Sequence, residues 1–190
     1  MFMIREILGY CIISAIGIIC MAVLYAPVCF LLRKRIPPKR QIACFLFGAC
    51  VIMVLAATVV IGASKTAAAD RSLNIVPFRV FQETWGMPEP KKIAQTIANV
   101  VMFIPLGFML PTAFQGMRCF WKTVLSLASF SFVIETAQYF TGRTADIDDF
   151  ILNVSGAVLG YLAFFIMFRL IRKKYFRKTG RSHNRSVRKS

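Results

Sequence analysis

Five long stretches without a charged residue constrain the fold of this chain more than any other feature of its sequence. Four of them contain about 18 or more residues, which is the length an α-helix needs to cross the apolar core of a bilayer. The fourth stretch along the chain is shorter and reaches that length only by continuing through Glu135 to Phe140. The five are Ile7–Leu32, Gln41–Ser64, Ile93–Gln115, Thr123–Ile134 and Phe150–Phe168. The pattern predicts an all-α integral membrane protein with five transmembrane helices.

The location of the positive charge predicts how these helices are oriented. The net charge is +16, and ten of the 24 Lys and Arg residues lie in Arg169–Lys189, with five more in Arg33–Arg40. Neither segment contains an acid, which is typical of cytoplasmic segments. This assignment places the basic C-terminus in the cytoplasm and the N-terminus outside. Because the charge is concentrated where membrane topology requires it, we expect no nucleic-acid partner.

Three parts follow from this layout. Residues 1–64 form an N-terminal transmembrane hairpin, 65–168 form a three-helix unit preceded by an outer loop, and 169–190 form a basic cytoplasmic tail for which we expect disorder. The outer loop between helices two and three contains Phe78, Phe81 and Trp85. So many aromatic residues favour a segment that lies in the membrane interface, in contact with lipids, over a solvated loop.

Cysteine and histidine usage indicates neither a disulfide framework nor a metal site. All six cysteines fall in predicted helices or in the inner loop, where oxidation is not expected. The single histidine, His183, lies in the tail. We therefore expect no metal and no cofactor.

Polar residues of helices three, four and five recur at one depth. If helix four runs outward and ends near Phe140, Glu135 lies about 8 Å below its outer end at 1.5 Å per residue. Gln138 follows on the same face, and Asn99 and Asn153 lie at comparable depth on helices three and five. We expect these four side chains to form one layer in the outer leaflet. Because charged residues within membranes usually mark sites, the layer is a candidate ligand-binding site.

A structural interpretation of the same acids stays open. Glu135 can be satisfied by a hydrogen bond from Gln138 or an ion pair with Arg143. Asp146 and Asp149 form a D-x-x-D pattern before helix five that resembles a capping box, and Asp148 also favours the positive end of that helix. Capping explains one or two of these carboxylates but does not require three.

Small residues predict a close contact between two helices. Gly156 and Gly160 form a G-x-x-x-G pattern in helix five, which lets another helix, most simply helix three or four, approach its backbone. Helix three offers Gly107 within the segment IPLG, where Pro105 also predicts a kink. Contact between helices three and five would bring Asn99 beside Asn153, whereas homodimerisation is the alternative use of the glycines.

Several segments form an ordered set along the chain: NIVPF from Asn74, NVVMFIPLGF from Asn99, ETAQ from Glu135, GRTADIDD from Gly142 and ILNVSGAVLGY from Ile151. Taken in this order, they resemble the VanZ-like family of bacterial membrane proteins. Ser155, where a paired glycine is usual, is a mild departure from the family pattern. The motif residues carried over by the resemblance are Asn74, Pro77, Asn99, Pro105, Gly107, Glu135, Gln138, Arg143, Asp146, Asp149, Asn153 and Gly156.

The resemblance implies a role in the Gram-positive cell envelope, at the bacterial cytoplasmic membrane, since the family's namesake confers low-level teicoplanin resistance. One hypothesis is a protein that engages a lipid-linked cell-wall precursor or a lipoglycopeptide antibiotic through the outer cluster. Arg79 and Arg143 are suited to bind its pyrophosphate or carboxylate groups, and the Asn and Gln side chains its sugar or peptide.

A second hypothesis is a membrane hydrolase or transferase that acts on a lipid-linked substrate. Glu135 would be its acid or base, with Asp146 or Asp149 activating water or holding a divalent ion. The sequence contains no Ser/His or Cys/His nucleophile motif, which favours the binding protein over the enzyme. A proton-coupled transporter is less favoured still, because helices one and two carry no ionisable group within their spans.

Overall fold

The computed structural model describes residues 2–32, 34, 36–60, 73–74, 77, 90–141 and 145–187. Within them, the side chains described are those of 12–31, 34, 36–58, 74, 77, 96–141 and 146–174. The five helices are α1 (Phe2–Leu32), α2 (Pro38–Leu55), α3 (Pro90–Ala113), α4 (Phe120–Phe140) and α5 (Ile147–Val187). Short elements join them: a π-helix at Ala56–Val60, a 3-10 turn at Gln115–Met117, and two-residue strands β1 (Leu73–Asn74) and β2 (Ala145–Asp146).

Four helices in the described part of the chain are long and apolar enough to cross a membrane. Their spans are Ile12–Leu31, Pro38–Thr58, Thr96–Ala113 and Ile147–Lys174. The remaining helix, α4, has 21 residues but includes Lys122, Glu135 and several hydroxyl-bearing residues. The helical membrane architecture is therefore confirmed, whereas the fifth crossing and the orientation stay predictions.

Side-chain contacts define the two ends of the bundle. At one end, which we call the polar end, α2 and α4 finish while α3 and α5 begin, and Asn99 contacts Asp149 there. At the other, the basic end, the Tyr161 hydroxyl of α5 donates to the backbone oxygen of Arg118 at 2.9 Å. Helices α3 and α5 thus run in the same direction, with α4 antiparallel to both.

The closest helix contact joins α3 and α5 through three glycines. A Cβ atom added to any of them would overlap backbone of the facing helix, so only glycine allows this separation. Such a Cβ would lie 2.2 Å from the Val100 oxygen at Gly156, 2.1 Å from the Ile104 oxygen at Gly160 and 2.2 Å from the Ala157 oxygen at Gly107. Pro105 lies on the exposed face of α3, and the helix continues through it.

The apolar core lies between α2, α3, α4 and α5. Its fully buried centre is formed by Phe103 and Leu106 of α3 and Ile134 of α4, and Val54 brings α2 into the same cluster. Helix α1 packs mainly on α2 and on the π-helix that follows it, and none of its spanning window is buried. In a bilayer, lipid tails would cover that exposed apolar surface.

The basic end is organised by arginine side chains. Arg40 of α2 donates from Nε to the oxygen of Ala113, the last residue of α3, at 3.0 Å. A cation there also interacts favourably with the negative end of the helix dipole. Arg118 lies 4.9 Å from the ring centre of Phe168, at cation–π distance. Within the described residues, no acid lies at this end, which agrees with the predicted cytoplasmic side.

The tail differs from expectation. The sequence predicts disorder from residue 169 onward, whereas α5 continues as a helix to Val187. Extending an existing helix avoids the cost of nucleation, and Arg and Lys are good helix formers. High charge density alone therefore did not end the helix.

Candidate functional site

The polar end is held together by a short parallel pairing between strands β1 and β2. Strand β1 belongs to the segment between the π-helix and α3, which we call the outer segment because the sequence predicts that it lies outside, and β2 leads into α5. Leu73 pairs with Ala145 and Asn74 with Asp146. The Asn74 side chain donates from Nδ2 to Asp146 Oδ2 at 3.0 Å. The other carboxylate oxygen, Oδ1, accepts from the backbone N–H of Asp148 at 2.9 Å. Asp146 therefore caps the N-terminus of α5 and binds the outer segment with the same carboxylate.

Glu135 is buried at the point where α4 meets this pairing. Its side chain is 9% exposed, and Oε2 accepts a hydrogen bond from the backbone N–H of Asp146 at 3.3 Å. The carboxylate thus lies directly beneath the cap of α5. Arg143, expected to pair with Glu135, lies outside the described residues, as does Arg79.

Asn99 connects α3 to the same group of acids. Its Nδ2 donates to Asp149 Oδ1 at 2.6 Å, and Asn99 is 8% exposed. Asp149 is therefore engaged by α3. The neighbouring Asp148 is buried in the first turn of α5, where its charge favours the positive end of the helix.

Asn153 lies one turn deeper and hydrogen-bonds to α4. Its Nδ2 donates to Ser131 Oγ at 3.0 Å, and both side chains are almost completely buried. Helices α3 and α5 make the predicted close contact. However, Asn99 hydrogen-bonds to Asp149 of α5, and Asn153 hydrogen-bonds to Ser131 of α4. The two asparagines, which the sequence predicts to lie side by side, thus bond to different helices.

Gln138 extends the polar end to α2. Its Nε2 donates to the backbone oxygen of Thr58 at 3.2 Å, in a buried position. Thr58 belongs to the π-helix, whose wider turns leave carbonyl groups displaced from the regular α-helical pattern. Sequence reasoning missed Thr58 because nothing distinguishes it within an uncharged run. It also missed Ser131, although Ser131 precedes Glu135 by four residues and so shares its face.

The assembled site is a ladder of amides and carboxylates contributed by α3, α4, α5, the π-helix and the two short strands. In the described part of the chain, no group of three or more His, Cys, Asp or Glu side chains is arranged to hold a metal ion. Carboxylates, amides and a hydroxyl can form hydrogen bonds with polar ligands. The arrangement is therefore suited to binding a polar head group at the boundary of an apolar bundle.

Comparison with known proteins identifies the family. No curated protein and no solved structure matches the chain. A family model described as VanZ/LLP1 matches residues 42–169, about two thirds of the chain. The match begins inside α2, so it includes both the helix that carries Thr58 and the segments quoted from the sequence. The chain therefore belongs to the VanZ-like family.

Proposed function

We propose that the polar end binds the head group of an amphipathic envelope molecule, either a lipid-linked cell-wall precursor or a lipoglycopeptide antibiotic, and so contributes to teicoplanin-type glycopeptide resistance. The protein would act in the bacterial cytoplasmic membrane with its polar end outside. The observation that carries the proposal is the concentration of Glu135, Asp146, Asp149, Asn99 and Asn153 at one end of an otherwise apolar bundle.

The shape of the proposed ligand follows from the two surfaces that meet there. The polar end offers hydrogen-bonding groups, and the helix faces below it offer exposed apolar side chains such as Ile97 and Val101 of α3. A molecule with a polar head and a lipid tail would contact both without leaving the membrane. A water-soluble ligand would gain nothing from the second surface.

Resistance on expression in a susceptible Gram-positive host tests the proposal. The wild-type chain is expected to raise the minimal inhibitory concentration of teicoplanin several-fold, and Asn99→Leu or Glu135→Gln to abolish the increase. Thr136→Ala is the matched control, because Thr136 is exposed next to Glu135 and bonds only within its own helix, to Phe132. All variants must reach equal amounts of folded protein in the membrane. Equal resistance in all of them would refute the proposal.

The buried carboxylate of Glu135 supports a second candidate, a hydrolase or transferase that acts on a lipid-linked envelope substrate. Acid–base catalysis needs a carboxylate shielded from bulk water and fixed in position, and the bond from Asp146 N fixes this one. Incubating the purified protein with isotopically labelled lipid-linked precursor separates the two candidates. A product that is absent with Glu135→Gln would favour the enzyme, whereas binding without conversion would favour the first proposal.

A further inference from the structure

Among the side chains that the structure describes, one buried polar atom lacks a hydrogen-bond partner. Asn153 is 2% exposed, and its Oδ1 has no hydrogen-bond donor among the described groups. The other half of the same amide is engaged, because Nδ2 donates to Ser131 Oγ. The side chain is therefore held in place with its acceptor unsatisfied.

Rotating the amide does not remove the problem. With Oδ1 and Nδ2 exchanged, the Ser131 hydroxyl could donate to Oδ1, but the two N–H groups would then need acceptors instead. Buried polar groups are almost always hydrogen-bonded, and a leucine of similar volume would avoid the cost. An asparagine at this position thus indicates that something outside the described protein groups binds its amide.

The position of Asn153 connects it to the polar end. It follows Asp149 by four residues on α5, and Ser131 precedes Glu135 by four residues on α4. One helical turn corresponds to about 5–6 Å, so the Asn153–Ser131 pair lies that far beneath the carboxylates. A group seated among the carboxylates needs to extend only one turn inward to meet Asn153 Oδ1.

We infer that Asn153 Oδ1 forms a subsite for a hydrogen-bond donor from outside the protein, an O–H or N–H group. Two sources have this chemistry: an internal water molecule, and the polar head of the ligand proposed above. Only the second source rests on the proposed function. Either one satisfies the acceptor and extends the ladder of polar contacts from Asp149 into the bundle.

Infrared spectroscopy of the purified full chain in lipid nanodiscs tests this directly. The protein is labelled with ¹³C at asparagine side-chain carbonyls, and subtracting the spectrum of Asn153→Leu isolates the Asn153 band. Asn153→Ser gives a second subtraction if the leucine variant fails to fold. A hydrogen-bonded amide carbonyl absorbs at lower frequency than a free one. We expect the bonded band without added ligand if water is the donor, and only with added teicoplanin or lipid-linked precursor if the ligand is the donor.

Ser131→Ala is the decisive comparison. A bonded band that persists in this variant supports a donor from outside the protein, whereas one that disappears shows that the serine hydroxyl was the donor and overturns the inference. A free-carbonyl band in every condition also overturns it. If water is the donor, the bonded band persists even when neither probe binds, so the inference and the proposed function can fail separately.

A binding measurement distinguishes the sources further. With the ligand as donor, Asn153→Leu is expected to weaken binding of the probe that shifts the band by about tenfold.

Ser129→Ala is the control variant for the infrared measurement. With water as donor, it should give the same band as wild type, since Ser129 is an exposed serine of α4 that bonds only to Leu125. A band shift caused by Ser129→Ala would mean that the spectrum reports on α4 in general and would overturn the assignment to the subsite.

Discussion

The contact between α3 and α5 leads to a sharp prediction about Gly160. A Cβ atom at this position would lie 2.1 Å from the Ile104 oxygen, 2.9 Å from the Phe108 nitrogen and 3.0 Å from Gly107 Cα. All three are backbone atoms, so no side-chain rotation can relieve the overlap. Gly160→Ala therefore forces the two helices apart where Gly160 crosses the backbone of α3.

The size of the effect follows from two opposing terms. Ordinary van der Waals contact begins near 3.4 Å, so the backbones must separate by roughly 1 Å, and overpacking of this kind costs about 1–3 kcal/mol. Alanine returns about 0.5–1 kcal/mol because it restricts the unfolded chain more than glycine does. We expect a net loss of about 1–2 kcal/mol, which corresponds to a Tm lower by about 2–8 °C for a chain of this size.

Thermal unfolding of the purified protein in detergent, followed by circular dichroism, checks this value. Gly116→Ala is the matched control, because nothing lies within 4 Å of a Cβ at Gly116, and it should change stability by less than about 0.5 kcal/mol. Gly17→Ala should fall between the two, since its Cβ would meet a side-chain atom, Ile52 Cγ2 at 2.6 Å, rather than backbone. If Gly160→Ala unfolded like wild type, the described approach of α3 and α5 would be wrong.

Three further predictions concern the two ends of the bundle. Arg40→Gln should lower stability by about 1 kcal/mol, measured by the same unfolding assay, because the carbonyl of Ala113 loses its charged donor; an unchanged Tm would contradict the cap. Gln138→Leu should cost about 1–3 kcal/mol, because it removes the amide that donates to a buried carbonyl of the π-helix, and equal stability would contradict this contribution. In a chain without native cysteines, Gly116→Cys should react with a membrane-impermeant maleimide only from inside and Thr141→Cys only from outside. Labelling of both from one side would exclude a crossing by α4.

The sequence predicts the elements that depend on long, repeated patterns. Long apolar runs identify the helices, and α4 is found only by extending a shorter run through Glu135. The spacing of Gly156 and Gly160 predicts that another helix comes close to α5, but it does not choose between α3 and α4. The depth of Glu135 and Asn99 follows from counting residues along helices. These features succeed because helix geometry is regular and each signal extends over several turns.

Partner choice within the polar end could not be predicted in the same way. Residue spacing gives the position of Asn153 along the helix axis but not the direction in which its side chain points around that axis. It therefore cannot show that the amide faces Ser131 on α4. The pairing of Asn74 with Asp146 involves strands of two residues, too short for any alternating pattern. The Thr58 carbonyl is a backbone group, so the identity of the residue does not indicate that this oxygen accepts a hydrogen bond from Gln138.

We still expect α4, the helix of lower hydropathy, to cross the membrane, and its contacts with the other helices give the reason. At the basic end, the Phe120 ring lies 5.3 Å from that of Tyr161 on α5. At the polar end, Gln138 meets the end of α2. Both α2 and α5 have membrane-spanning windows, and 21 residues at 1.5 Å each extend about 30 Å, the thickness of the apolar core. The residues that lower the hydropathy of α4 include Ser131 and Glu135, which face other helices rather than lipid. The polar groups that weaken the membrane signal of α4 are thus the same groups that make it the centre of the proposed site.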